Sequence, residues 1–134
     1  MLKVTPIEDK NTQKHLSELC SVEYNADRMA YQIYEDEKFV GIAEFCIKGK
    51  WGYITNLRNA AGVNDVDALE IAGRAVLNFL DLCGIKDVVC EASDKLSKQL
   101  AERMTFELDD DGVYRINLEG FFTEPCKRCK KHEA

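Results

Sequence analysis

The chain has 134 residues, of which 46% are hydrophobic and 31% charged, and its formal net charge is −6. This composition is typical of one globular domain; no apolar run approaches the ~20 residues of a membrane-spanning helix and no basic-then-apolar leader opens the sequence, so we expect a cytoplasmic protein without a membrane partner. An acidic chain lacks the clustered Lys and Arg side chains that phosphate contacts require, so we expect no nucleic-acid partner either.

The first half of the chain contains strand-like segments with alternating apolar residues and one segment of helical period. The predicted elements are a strand over residues 2–7, a helix over 11–22, and strands over 28–34, 39–47 and 52–57. The short polar turn over 35–38 joins two of these strands into a hairpin. The last three strands therefore predict an antiparallel meander.

The second half begins with the strongest helical pattern of the chain. Asp67 and Glu70 have the spacing of a capping box, and Gly84 marks the end of the helix. A short apolar strand over 88–90, a helix capped by Ser93 or Asp94, and a hairpin over 105–108 and 113–118 follow. The prediction is one α+β domain over 1–122 with a mixed sheet, made of the meander, a central crossover helix and a C-terminal hairpin. A basic, cysteine-containing tail occupies 123–134.

This order of elements resembles the GNAT superfamily of acyl-CoA-dependent N-acyltransferases, over about residues 2–121. The run from Gly73 to Leu77 is similar to the end of the family's cofactor loop and the start of its central helix. The run from Gly84 to Val89 is similar to the following helix-to-strand junction, and residues 94–106 occupy the place of the family's last helix.

The resemblance implies a function and a set of cofactor contacts. The expected reaction is transfer of an acyl group, such as acetyl, from acetyl-CoA or another acyl-CoA to a small-molecule or peptide amine. Backbone groups around Leu57, Arg58 and Asn59 would position the thioester, and the loop before Gly73 and Arg74 would hold the pyrophosphate.

The sequence departs from the family at the positions that bind the cofactor. With Gly73 as the anchor, Ala68 stands at the family's Arg or Gln position and Ile71 at a glycine position. The carboxylates of Asp65, Asp67 and Glu70 stabilise the positive end of a helix dipole, where they would repel a phosphate. An alternative is therefore a non-catalytic interaction module, such as a homodimer, that keeps the fold and has lost CoA binding.

Glu44 is the candidate catalytic residue. It alternates with apolar residues along a central strand, so its carboxylate would be partly buried and could remove a proton from an amine. The competing interpretation is an ordinary cross-strand pair with a Lys or Arg side chain.

The tail contains the pattern Cys126-x-x-Cys129-x-x-His132. Two cysteines at this spacing form half of a typical zinc site, and His132 supplies a third ligand. A redox pair and a tail without either function are the alternatives. Of the other cysteines, Cys46, Cys83 and Cys90 lie in apolar stretches, where we expect buried thiols.

Overall fold

A computed structural model describes residues 1–122 as seven strands and three helices. In chain order these are β1 (Leu2–Pro6), α1 (Lys10–Leu19), β2 (Met29–Glu35), β3 (Lys38–Lys48), β4 (Trp51–Asn59), α2 (Val66–Leu82), β5 (Asp87–Cys90), α3 (Lys95–Arg103), β6 (Glu107–Leu108) and β7 (Tyr114–Asn117). Every predicted element is present, and the predicted order is confirmed. The division between a domain over 1–122 and a tail over 123–134 stays a prediction.

The strands form one mixed sheet in the order β1-β2-β3-β4-β5-β7-β6. Neighbouring strands are antiparallel except for β4 and β5, which are parallel because α2 carries the chain across the sheet between them. The predicted meander, crossover helix and C-terminal hairpin are therefore confirmed.

The helices lie on opposite faces of this sheet. Ile42 of β3 packs against Leu16 of α1 and against Cys20, the residue that caps the end of α1. Its neighbour Ala43 points to the other face, because side chains alternate along a strand, and belongs to the main core with α2 and α3. The face that carries α1 is the face to which Glu44 points.

The start of α2 differs from the prediction. The N-cap is Asp65, whose side chain accepts a hydrogen bond from the backbone N–H of Ala68. Asp67, predicted as the cap, lies in the first turn instead. The prediction failed because Asp65 and Asp67 are both suitable N-cap residues. Cys83 is exposed at the C-terminal end of this helix, so the expectation of a buried thiol there was wrong, whereas Cys46 and Cys90 are buried.

Within residues 1–122, none of the helices combines the length and the apolar character that crossing a membrane requires.

Candidate functional site

A β-bulge in β4 shapes the site. Glu44 pairs with Asn56 and Phe45 with Ile54, so Thr55 is an additional residue in β4. Successive side chains of a regular strand point to opposite faces, but a bulge lets two consecutive residues reach the same side. The side chains of Thr55 and Asn56 consequently both contact Glu44.

Glu44 lies at the centre of a hydrogen-bonded cluster. Its Oε1 accepts hydrogen bonds from Thr55 Oγ1 at 2.6 Å, Asn56 Nδ2 at 2.7 Å and Arg28 Nη1 at 3.0 Å. The residue is 1% exposed, and its Oε2 is buried with no partner among the described residues. The site thus holds a buried carboxylate in a fixed orientation and leaves one of its oxygens without a donor.

Arg28 is itself held by α1. Its carbonyl oxygen accepts hydrogen bonds from Lys10 Nζ at 2.7 Å and from the buried Gln13 Nε2 at 3.0 Å. Gln13 reaches this carbonyl because Asp9 caps α1 and fixes the first turns of the helix. Arg28 is therefore held at its backbone by α1 and at its guanidinium by Glu44.

A polar cavity of about 400 Å³ opens at this cluster. Glu44, Arg28, Asn56 and Arg58 line one side, and the segment over 21–25 after α1 lines the other. Such a volume accommodates a small polar molecule. Glu44 was predicted as the catalytic residue, and that role stays a prediction. The structure also contains an arginine partner of the kind that the competing interpretation required, since Arg28, just before β2, pairs with Glu44 next to the cavity.

The strands β4 and β5 separate next to this cavity. Their pairing ends at Ile54 and Cys90, with one further hydrogen bond from the Glu91 N–H to the Ile54 carbonyl. The remainder of β4, through Asn59, has no strand on that side within residues 1–122. An ion pair between Arg58 Nη1 and Asp94 Oδ2, at 2.6 Å, crosses this gap from β4 to the N-cap of α3.

The three predicted thioester-binding residues have different surroundings. Leu57 points into the core on the α2 face and is buried, whereas Arg58 points to the cavity. The side chain of Asn59 holds the loop that follows: its Oδ1 accepts from the Asp65 N–H at 3.1 Å, and its Nδ2 donates to the Val40 carbonyl at 3.2 Å. The structure places Leu57, Arg58 and Asn59 at the end of β4 that pairs with β3 and not with β5. Their contact with a thioester stays a prediction.

Gly73 and Arg74 do not lie at the start of a helix, so the predicted loop position was wrong. Gly73 lies in the interior of α2. A Cβ atom there would overlap Met104 Sδ, so this glycine permits close packing between α2 and the end of α3. Arg74 donates to Glu70 Oε2 at 3.0 Å and to the Arg103 carbonyl at 2.8 Å.

The N-terminal end of α2 does not fit a pyrophosphate. The Asp65 carboxylate occupies the Ala68 N–H, and Asp67 and Glu70 add two further negative charges. The nearby guanidinium of Arg103 is bound to both acids, at 2.6 and 2.7 Å. Phosphate binding at a helix N-terminus requires free N–H groups and a positive field. Here the chain's own carboxylates offset the positive field at the helix start.

Two partners of Glu44 could not be predicted from the sequence, and the candidate zinc site falls outside the residues that the structure describes. The partners Arg28 and Thr55 depend on the bulge and on α1, and neither residue belongs to a recognisable motif. The candidate zinc ligands Cys126, Cys129 and His132 lie outside the described residues, so zinc binding stays a prediction that measurement of zinc per purified chain tests. Among the described residues no cluster of three or more metal-binding side chains occurs.

No protein-family model and no curated protein matches this sequence. Solved structures match its fold. The ribosomal-protein-S18-alanine N-acetyltransferase of Escherichia coli has a TM-score of 0.66 at 12% identity, over 87% of this chain and 94% of its own. The PaiA N-acetyltransferase of Thermoplasma acidophilum, in complex with coenzyme A, has a TM-score of 0.60 at 10% identity, over 87% and 99%. A KacTA–DNA complex has a TM-score of 0.65 at 14% identity, over 92% and 99%.

Proposed function

The chain has the GNAT fold, and from this premise we propose that it binds a small primary amine in the cavity lined by Glu44. The observation that carries the proposal is the buried Glu44 Oε2, an acceptor without a donor among the described residues. An ammonium group has three N–H donors. Glu44 is one of the residues that line the cavity, so a ligand in the cavity lies next to this carboxylate.

The energetics of the cluster favour a role in binding over a role in stability. A buried acceptor without a partner costs about 1–3 kcal/mol. A buried ion pair such as Arg28–Glu44 is often no more stabilising than apolar side chains of similar volume. A bulge, a buried carboxylate and a clamped arginine at the edge of a cavity are therefore poorly explained by folding alone, and bulges are frequent next to active sites.

We also propose that this chain does not bind acyl-CoA through the start of α2. The acidic residues Asp65, Asp67 and Glu70 oppose a pyrophosphate there, and the neighbouring arginines are already paired with acids. The protein would then be a GNAT-fold binding module that keeps an amine site and has lost the cofactor site.

A second candidate function is transfer of an acyl group from acetyl-CoA or another acyl-CoA to the bound amine. The end of β4 beyond Ile54 favours it, since β5 does not pair with this part of the strand and the backbone edge over 55–59 faces away from β3. Glu44, or a water molecule held by it, would accept the proton of the amine. This candidate requires a route for the phosphates that avoids the carboxylates of α2.

Calorimetric titration with acetyl-CoA and with plain CoA, at low salt, separates the two candidates. Binding tighter than about 100 μM, roughly −5.5 kcal/mol, would support acyl transfer. No heat at millimolar ligand would exclude it and support the binding module. The double variant Asp67→Asn/Glu70→Gln is the matched control, because weak binding that improves in this variant would identify the α2 carboxylates as the obstacle.

The amine site itself is tested by ¹H–¹⁵N correlation spectra during titration with propylamine and isopentylamine. We expect the shifted amides to cluster over 23–28, 44 and 54–58, and we expect Glu44→Gln to weaken binding at least tenfold. Glu107→Gln, which changes an exposed carboxylate on the short strand β6, is the control and should leave binding unchanged. Equal binding in Glu44→Gln and the parent protein would contradict the proposal.

A further inference from the structure

The charges around the Glu44 cavity indicate the chemical class of its ligand. Four charged side chains line it: Arg28, Arg58, Glu23 and Glu44. Their formal charges sum to zero, so the lining as a whole favours neither a pure cation nor a pure anion. What it offers instead is separate positive and negative groups on its wall.

The positive groups retain most of their hydrogen-bonding capacity. A guanidinium has five N–H donors. Within residues 1–122, the guanidinium of Arg28 donates one hydrogen bond, to Glu44, and that of Arg58 donates one, to Asp94. The exposed fractions of the two side chains are 23% and 37%. Both guanidiniums therefore have N–H groups available for an anionic oxygen, and a planar fork of this kind suits a carboxylate.

Glu44 on β3 and Arg58 on β4 have a fixed relative position in the sheet. Asn56 is the register partner of Glu44, and Arg58 follows two residues later on the same face. Two residues of a strand span about 7 Å. Arg58 therefore lies one side-chain position along the same wall of the cavity, so a molecule that carries an ammonium group and a carboxylate on one carbon atom can face both Glu44 and the arginine side chains.

We propose that the cavity binds a zwitterionic amino acid, with its ammonium group on Glu44 Oε2 and its carboxylate on the guanidiniums of Arg28 and Arg58. This inference rests on the proposed amine site and specifies its ligand. Arg58 then exchanges part of its contact with Asp94 for the ligand carboxylate, so Arg58 determines the preference for amino acids over simple amines.

The test compares each of the twenty common α-amino acids with its decarboxylated amine and its deaminated acid. Each compound is titrated to 10 mM into the ¹⁵N-labelled chain. The expected result is at least one amino acid that shifts amides over 23–28, 44 and 54–58 and binds at least tenfold more tightly than both of its analogues. If an amine binds as tightly as its amino acid, the zwitterion inference is wrong and the amine site stands. If no compound shifts these amides, both are wrong.

Two variants give an independent readout. Arg58→Gln should reduce the preference for an amino acid over its amine to less than threefold, because the remaining affinity comes from Glu44. Arg115→Gln is the matched control, since Arg115 also pairs with aspartates but lies on β7 away from the cavity, and it should keep the full preference. An unchanged preference in Arg58→Gln would overturn the role of Arg58. Circular dichroism spectra of each variant confirm that it is folded.

Discussion

Replacement of Thr55 by Val tests whether the bulge in β4 serves the buried carboxylate. Thr55 Oγ1 donates to Glu44 Oε1 at 2.6 Å, and Thr55 and Glu44 are 7% and 1% exposed. Valine has nearly the same shape as threonine and the same preference for strands, so Thr55→Val removes the hydroxyl donor with little change in packing.

The expected loss follows from the kind of hydrogen bond removed. A hydrogen bond to a charged group contributes about 1.5–3 kcal/mol to stability. The additional methyl group of Val offsets about 0.8 kcal/mol of this when it is buried. We therefore expect Thr55→Val to lower the free energy of unfolding by about 1–2 kcal/mol.

The measurement is urea unfolding of Thr55→Val and of Thr5→Val. Thr5 lies on the exposed strand β1, where its hydroxyl accepts a hydrogen bond from Gln32, so this control should change stability by less than about 0.5 kcal/mol. Thr55→Val should also lose much of its effect in a Glu44→Gln background, since the two residues share one contact. A stability change below about 0.5 kcal/mol for Thr55→Val would refute the assigned role of the bulge.

Three further predictions concern the helices and the cysteines. Gly73→Val should lower the free energy of unfolding by about 1–3 kcal/mol, because a side chain at this position overlaps the buried Met104. Ala75→Val, on the half-exposed side of the same helix, should lower it by less than about 1 kcal/mol. Equal losses in urea unfolding would contradict the packing role of Gly73. Hydrogen bonding from Ser97, with a contribution from Arg58, holds the pKa of Asp94 below its usual value. The ionised Asp94 carboxylate therefore stabilises the fold above its unfolded-state pKa, and this stabilisation is lost as pH falls through its folded-state pKa. The variant Asp94→Asn should consequently lose less free energy of unfolding than the parent between pH 5 and 2.5. Burial raises the pKa of the Cys90 thiol to about 12. Iodoacetamide at pH 8 should therefore alkylate the exposed Cys83 and leave Cys90 unmodified in the folded protein. Comparable labelling of the two cysteines, measured by mass spectrometry, would contradict the described burial.

The elements could be predicted from the sequence because each has a clear period and a clear end. Alternation identified the strands, and the run from Leu69 to Leu80 identified α2 by its 3.6-residue period. The resemblance to GNAT proteins, drawn from this order, is confirmed as a fold by the solved structures. The start of α2 was misplaced because Asp65 and Asp67 are equally suitable caps, and only the hydrogen bond to Ala68 distinguishes them.

The functional residues were harder to predict because the site depends on register and packing. Glu44 was identified because a charged residue in an apolar strand is visible in the sequence. Arg28 and Thr55 were not, since their contacts require the bulge and the position of α1. Gly73 was misinterpreted for a related reason: a glycine that permits close packing has the same sequence signal as a glycine in a phosphate-binding loop, and only its position inside α2 distinguishes the two.

The start of α2 and the Glu44 cavity differ in how much free energy ligand binding would gain. At the start of α2, Arg103 already contacts Asp67 and Glu70. If a pyrophosphate recruited that arginine, Asp67 would lose its partner and Glu70 would keep only Arg74, so one charge pair would replace another with no net gain. Exposed pairs of this kind contribute about 0–1 kcal/mol, so stability alone does not explain their presence.

At the Glu44 cavity the balance is the reverse. Glu44 Oε2 has no donor within the described residues, and the guanidiniums of Arg28 and Arg58 each have N–H groups without partners there. A ligand that pairs with these groups would satisfy them, and only the Arg58–Asp94 contact would weaken in exchange. A ligand would therefore gain binding free energy at the Glu44 cavity and little at the start of α2. This asymmetry is why the binding module, with an amino-acid ligand, explains more of the observed contacts than acyl transfer does.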